Sequence, residues 1–413
     1  MNKVVVIGGG AAGLMAAVTA AQHGAKVEVV EKMPAVGKKI LVTGKGRCNI
    51  TNDCDIREFI QNMPGNGQFL HSAFRAFSNQ DMVAFLESRG LATKVERGGR
   101  IFPVSDRAAD VVAVFTRLLS ELGVSIRLGQ AARRILVDNE HITGVEFHDG
   151  GKISADKVIL AVGGSTYPGT GSSGDGFVMA GKIGHTVTEL RPSLIPLEVE
   201  ESWITDLQGL SLKNVTATVT RDGKKLASEF GEMLFTHYGL SGPIILSLSR
   251  VAADALRTGE PVAVEINLKP ALDEVMLDRR LQRDFAKFAR KQMKNALDEL
   301  LPNKLIDVII DLSHIPPEKP VHQVTKLERA RLSEQLRRLT FTITKTRPLA
   351  EAIVTAGGIS TKEISPSTME SKLVKGLYFA GEVIDIDGYT GGYNLQAAWS
   401  TGFVAGRHAA DYS

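Results

Sequence analysis

The sequence predicts an α/β fold: a parallel sheet wound from strand–helix–strand units, interrupted by a β-barrel-like insertion that carries a helical sub-domain. Three observations predict it. A β-branched run at the start of the chain leads straight into Gly8-x-Gly10-x-x-Gly13 and an Ala-rich segment. A short apolar strand with its own glycine-rich sequel returns near residue 376. Between them, residues 194–268 read as strands, and residues 271–302 and 322–338 carry charged helical periodicity.

A chain of 413 residues accommodates two to three domains and a substantial core. Hydrophobic content of 43% with 23% charged residues reads as a soluble globular protein. The net charge of +3 is too near neutral to imply nucleic acid or an acidic membrane surface. The 41 glycines cluster, which suggests backbone approaching a ligand. Two cysteines in so long a chain fit a reducing compartment. "MNKVVVIGGG" reads as a strand, with no cleavage pattern of a signal peptide. No apolar run approaches the ~20 residues of a membrane helix. A cytoplasmic protein is expected.

The first element is "KVVVIGGGAAGLMAAVTAAQHGAKVEVVEK". Gly8 permits the tight turn after the strand, Gly10 lets a pyrophosphate approach the backbone, and Gly13 lets helix and strand pack closely. The helix N-terminus offers free N–H groups and a positive dipole end to the phosphates. Gly24 closes the helix, and a second strand ends in Glu31, eighteen residues beyond Gly13. There a carboxylate accepts hydrogen bonds from ribose hydroxyls. Strand, helix, second strand and acid in register make a Rossmann-like dinucleotide unit, which NAD and FAD both use.

The closing segment "GLYFAGEVIDIDGYTGGYNLQAAWSTG", Gly376 to Gly402, resolves the cofactor. It resembles the last motif of FAD enzymes of the glutathione-reductase-like fold, closest to the fumarate reductase class. The resemblance implies that Glu382, after Gly381, binds the ribityl hydroxyls. It implies that Gly392, Tyr393, Asn394, Leu395 and Gln396 face the N1–C2=O edge of the flavin, where a positive helix end stabilises the anionic reduced ring. "DKVILAVGGSTYPGTGSSGDGFVMAGKIGH" agrees, with a strand before Gly163-Gly164-Ser165 and Gly174-Asp175-Gly176 opening a helix. Gly169-x-Gly171-x-x-Gly174 is no second dinucleotide fingerprint, because Tyr167-Pro168 precede it in place of a strand.

Both cysteines lie in "GKGRCNITNDC". Disulfide reductases of this fold place a thiol pair here with four residues between. Cys48 and Cys54 have five, which rotates the second sulfur by roughly 100° on a helix. The C-terminal His-Pro acid–base partner of such enzymes is also missing. The segment instead resembles "GKKxLxTGxGRCNxTN", a signature of a bacterial flavoprotein family of NAD(P)/FAD-dependent oxidoreductases that includes aminoacetone oxidase and a reductase of bile-acid dehydroxylation. "GGRIFPVSDRAADVV", "GEMLFTHYGLSGPIILSLS" and "VTAGGIS" match as well, so the resemblance spans the chain. It implies that Thr43, Gly44, Gly46, Arg47, Asn49 and Asn52 cradle the flavin, with Arg47 facing phosphate or ring carbonyls. Ala12, Lys32, Lys39 and Cys48 complete the implied cofactor set. Cys48 stands beside the flavin as a structural or weakly reactive thiol, with a catalytic dithiol as the competing reading.

The FAD domain is expected in two parts, 1–190 and 346–413. Helical patterns fill 56–90, and another helix follows Ser105 as N-cap. "VSIRL", "RRILVD", "ITGVEFHD" and "DKVILAV" read as a meander into the Gly163-Gly164 motif. The insertion, 191–345, divides into a β-barrel-like part (191–268 and 340–345) and a helical part (269–339). "KLERARLSEQLRR" reads as a solvated helix face rather than a nucleic-acid contact, because aromatics for base stacking are missing.

The flavin does the redox work and the protein positions it. A substrate would lie against the ring between the FAD domain and the insertion. His237 is the proton-transfer candidate by type. Tyr238, Arg347, Tyr389, Tyr393 and Asn394 are further candidates. No metal-ligand spacing is present, and no histidine sits in a motif that would attach the flavin covalently. The expected function is an oxidoreductase with noncovalent FAD acting on a small organic substrate. Either NAD(P)H, bound transiently, drives reduction of an acceptor, or an amine reduces FAD and oxygen reoxidises it. The competing classes are an RNA-associated flavoprotein resembling tRNA-modification proteins and a dithiol-using disulfide reductase.

Overall fold

The computed structural model describes residues 1–411. It forms two compact units, Met1–Ser193 with Leu349–Ser413, and Leu194–Pro348. The boundaries fall a few residues beyond those expected, for a physical reason. Arg191–Ser193 is not part of the barrel; it pairs antiparallel with Val354–Ala356 inside the first unit.

The first unit is built on a five-stranded parallel sheet in the order Leu377–Phe379, Lys157–Leu160, Lys3–Ile7, Lys26–Glu31, Ser125–Leu128. Val4, Val5 and Val6 are fully buried in its central strand, as a sheet covered on both faces requires. The helix Ala11–Gln22 is buried from Ala12 to Ala20. The long closing helix Tyr393–Ala410 packs on it through small residues. A Cβ added at Gly402 would collide with the Ala12 carbonyl oxygen, and one at Gly406 with that of Ala16.

Several local expectations are corrected. "VSIRL" does not join a meander; it forms the edge strand Ser125–Leu128 of the parallel sheet. "DKVILAV" supplies another strand of that sheet, and only Ala132–Asp138, His141–Phe147 and Lys152–Ser154 make a separate antiparallel sheet. The helix after Ser105 starts at Ala108, with Arg107 at the N-cap. Residues 56–90 form three short helices, Ile56–Gln61, His71–Ala76 and Asn79–Glu87.

The second unit is a closed antiparallel barrel of six strands: Leu197–Val199, Gly239–Ser241, Lys224–Thr236, Ser211–Arg221, Val262–Asn267 and Leu339–Thr346. Val262, Val264 and Ile266 point inward and alternate with half-buried residues, the period-2 signature. Residues 194–268 are not all strand, because Pro243–Leu256 is a helix with Pro243 at its first position, where a missing N–H costs nothing. The helical part holds Glu274–Lys287, Asn303–Leu312 and Lys326–Arg337. Thr325 and Glu328 form a capping box at the start of the last.

Candidate cofactor site

The site is assembled at the C-terminal ends of the parallel strands. Gly8 sits at φ +105°, and a Cβ at Gly13 would run into the Gly8 carbonyl oxygen. Both glycines therefore serve the protein's own packing. Gly10 differs: a Cβ there meets nothing within 4 Å, so the space above the helix start is open. The helix Ala11–Gln22 has no side-chain cap, which leaves its first amides for an anion. Glu31 is buried at the end of the second strand. Its Oε2 accepts from the Gly9 N–H at 2.7 Å and its Oε1 from the Met33 N–H at 2.8 Å. Two amides thus aim the carboxylate, and each oxygen keeps a lone pair for a further donor.

Lys32 Nζ reaches Asp175 Oδ2 at 2.6 Å and bonds to Ser173 Oγ, tying the second strand to the start of the helix Asp175–Gly181. Lys39 Nζ stands 2.6 Å from Glu382 Oε2 and 3.1 Å from Thr166 Oγ1. Glu382 Oε1 accepts from the Thr355 N–H at 2.8 Å and from Thr166 Oγ1 at 3.2 Å. Gly164 lies against this network, with Thr355 Oγ1 filling the place of a Cβ. Thr166 and Thr355 were not singled out in the sequence. Their signal is only adjacency, two residues past Gly164 and inside "VTAGGIS".

Next comes a run of left-handed backbone: Gly44 (φ +56°), Lys45 (+60°), Gly46 (+85°) and Cys48 (+62°). For the non-glycine members such geometry costs on the order of 1 kcal/mol each, and it concentrates where backbone clamps a ligand. Arg47, expected on phosphate or ring carbonyls, is instead bound by Glu96 at 2.8 Å and Asp106 at 3.3 Å, with its guanidinium 4.1 Å from the Phe102 ring centre. Asn49, with its amide oriented to satisfy both ends, accepts from the Gly392 N–H at 3.0 Å and donates to Thr51 O. Asn52 Nδ2 donates to Gly391 O at 3.0 Å. These contacts fasten the Thr43–Asn52 segment to the start of the closing helix.

Gly392, at φ +102°, is the N-cap of that helix and makes no side-chain cap; a Cβ there would collide with Thr51 backbone. Asn394 locks the preceding loop, accepting from Gly388 N–H at 2.8 Å and donating to Gly388 O at 2.8 Å. Leu395 is half-buried against the core. Ala12 is buried beneath Gly381 and Gly402. Tyr393 is buried edge-on to Phe59, ring centres 5.2 Å apart, and shares a hydrogen bond with Cys54; burial above all pushes its phenol well above the usual range. Burial likewise pushes both the Cys48 and Cys54 thiols up to about 12. Neither cysteine is in a disulfide. Two protonated thiols do not make a dithiol redox pair at neutral pH.

His237, Tyr238 and Arg347 lie in the barrel unit, whereas Tyr389, Tyr393 and Asn394 lie in the first. The exposed His237 ring meets Tyr238 edge-on at 4.9 Å, and Arg347 covers that tyrosine at 4.6 Å while bonding Glu198 at 2.8 Å. Among the described residues no group of three or more His, Cys, Asp or Glu is arranged to hold a metal, and no helix is long and apolar enough to cross a membrane.

An open helix start, an aimed ribose acid, a left-handed clamp and a second uncapped helix suit one long ligand with a pyrophosphate at one end and a flat polar ring at the other. Comparison with known proteins agrees. A family model, the HI0933-like protein Rossmann domain, matches residues 2–408. The 3-dehydro-bile acid delta(4,6)-reductase of Clostridium scindens is 35% identical over the full length of both chains. The ribosomal RNA dihydrouridine synthase of Escherichia coli is 31% identical over 97% of this chain and 96% of its own. In fold, the chain resembles the E. coli quinol fumarate reductase flavoprotein subunit, with a TM-score of 0.54 at 17% identity over 99% of this chain and 70% of that one.

Proposed function

The chain belongs to the HI0933-like Rossmann-domain family and is an FAD-dependent oxidoreductase, and from that premise we propose that it reduces a carbon–carbon double bond conjugated to a carbonyl in a small steroid-like substrate. The observation that carries the reading is the end-to-end similarity to the Clostridium scindens reductase, whose name describes such bonds beside a 3-oxo group. Dihydrouridine formation, named for the E. coli relative, also saturates a ring double bond next to a carbonyl.

Bound FAD supplies hydride transfer. The glycine loop and the amides after Gly10 hold its pyrophosphate, and Glu31 holds the ribose. Glu382, steadied by Lys39, Thr166 and Thr355, takes the ribityl hydroxyls. The amides after Gly392 face the ring edge that becomes negative on reduction. Saturating a conjugated bond also needs a proton. By residue type, His237 is the proton-transfer candidate. NAD(P)H is the transient electron source.

A second reading, reduction of uracil in RNA, is favoured by one feature: residues 269–338 hold fifteen Lys and Arg against eleven Asp and Glu. The test is anaerobic. Protein reduced with dithionite is mixed with a 3-oxo-Δ4 steroid or with uridine-containing RNA, and the flavin absorption band is followed. Return of the band with steroid supports the first reading, and with RNA alone the second. No return with either, or peroxide release with amines, overturns the proposed direction.

A further inference from the structure

The helical part of the second unit carries charge that the flavin chemistry does not use. Residues 269–338 are net +4 by residue count, while the whole chain is +3, so all other residues together are slightly acidic. Several of these cations are neutralised in pairs, among them Arg329 with Asp278, Arg337 with Glu274, Lys319 with Glu328 and Lys287 with Glu299. At one place unbalanced cations gather around a concavity.

A cavity of about 330 Å³ opens against the helix Glu274–Lys287, bounded by Leu272, Met276, Arg279, Arg280 and Arg283. The spacing of Met276, Arg279, Arg280 and Arg283 puts them on one face of the helix, and Leu272 stands just before its start. The carboxylate there is Asp284, itself buried, which Arg280 approaches at 2.6 Å and Arg283 at 3.4 Å. Two guanidinium groups share one carboxylate, and among the described residues Arg279 has no carboxylate partner. Lys269 is half-buried nearby. Burial, and then the charge of Arg280, lower its ammonium pKa. Three guanidinium groups therefore line one concavity, two of them on a single buried carboxylate, and Lys269 adds a cation beside Arg280.

We propose that this cavity is a phosphate-binding site. The guanidinium groups are planar donor forks that match a tetrahedral oxyanion. A single carboxylate ligand would offset only part of the surplus charge, whereas a phosphate monoester or consecutive phosphodiesters offset more. Leu272 and Met276 give the organic part of the ligand an apolar wall. The phosphate has two sources, a small phosphate ester or the backbone of a polynucleotide. The site is independent of the reaction proposed above.

The experiment uses the full flavin-loaded protein at low salt, with inorganic pyrophosphate and a labelled single-stranded RNA oligonucleotide as probes, read by calorimetry and fluorescence anisotropy. Arg279→Ala/Arg283→Ala and Arg279→Glu alter exposed side chains, and melting temperature and FAD content check that they fold. At least about tenfold weaker binding in these variants is expected for whichever probe the wild type binds, corresponding to one lost charge-assisted hydrogen bond. Pyrophosphate bound and RNA not bound identifies a small ester; RNA bound and not displaced by pyrophosphate identifies a polynucleotide. Binding of neither probe, or binding that both variants leave unchanged, overturns the proposal. Reoxidation of the reduced flavin by a steroid is unaffected in these variants, so the two proposals fail separately.

Discussion

Lys39 and Glu382 are 343 positions apart in the chain and meet at 2.6 Å, Nζ to Oε2. Both side chains are mostly shielded, at 25% and 19% exposure, so neither charge tolerates loss of the other well. Glu382→Gln keeps the shape, leaves Lys39 uncompensated and turns one of the two acceptor oxygens into a donor amide. FAD affinity is expected to fall about tenfold or more. Titration of FAD into deflavinated protein measures it. In the Lys39→Met/Glu382→Gln double variant the losses are expected to be less than additive.

The glycines of the nucleotide loop separate folding from cofactor binding. Gly10→Ala adds a methyl group into open space, so the cofactor-free protein keeps its melting temperature within about 1 °C while FAD binding weakens about tenfold or more. Gly13→Ala and Gly392→Ala instead strike backbone and are expected to lower stability by several kcal/mol, about 3 or more. Thermal melts with and without FAD distinguish the two behaviours.

With both thiols pushed up to about 12 by burial, thiolate is scarce at neutral pH. Cys48→Ser and Cys54→Ser should both retain flavin reduction and reoxidation. Labelling by a disulfide reagent at pH near 8 should be slow at Cys54 and slower at the fully buried Cys48. Cys48→Ser should cost about 1–3 kcal/mol of stability, because it buries a hydroxyl in place of a thiol.

His185 bonds Glu363 at 3.1 Å and Ser371 at 2.9 Å with no side-chain exposure. Burial, which outweighs the neighbouring Glu363, lowers its pKa. The unfolded chain then binds the proton more readily than the folded one. The stability contribution is full above the ordinary histidine pKa of about 6.5 and shrinks as pH falls below it, by at most about 1.4 kcal/mol per pH unit. Melting curves at pH about 7.5 and about 5.5 should show the loss, and His185→Gln should flatten it.

His237→Gln tests the proton donor. Turnover is expected to fall about 10²-fold or more with FAD content unchanged, and the limb on which the rate falls as pH rises should vanish from the pH–rate profile. Unchanged turnover would return the role to Tyr393 or solvent.

Much of this was legible in the sequence, and the exceptions have physical causes. Gly8 and Gly13 announce themselves because backbone collision leaves no other residue at those positions. Val262, Val264 and Ile266 show the period-2 alternation of a strand with one buried face. "VSIRL" reads as a strand as well, but its four exposed residues at the sheet edge carry no mark of the parallel sheet it joins. The helix Pro243–Leu256 hid in an apolar run that suits strand and helix equally. Arg47 has partners that no motif marks, Glu96 and Asp106, on a hairpin and loop some fifty residues away. Local spacing carries no information on such a pairing. The same holds for Thr166 and Thr355, which matter only through a carboxylate from the far end of the chain.

The seam in which Gly402 and Gly406 seat on Ala12 and Ala16 has a consequence for biosynthesis. On the ribosome the barrel, uninterrupted from Leu194 to Pro348, completes itself while the first 193 residues still wait for a strand and a helix not yet translated. During that interval the Ala-rich helix shows a naked apolar flank, a natural client for chaperones. Cofactor capture is therefore among the last events in the birth of the molecule, and premature termination between Pro348 and Tyr393 yields a folded barrel attached to an unfinished nucleotide domain.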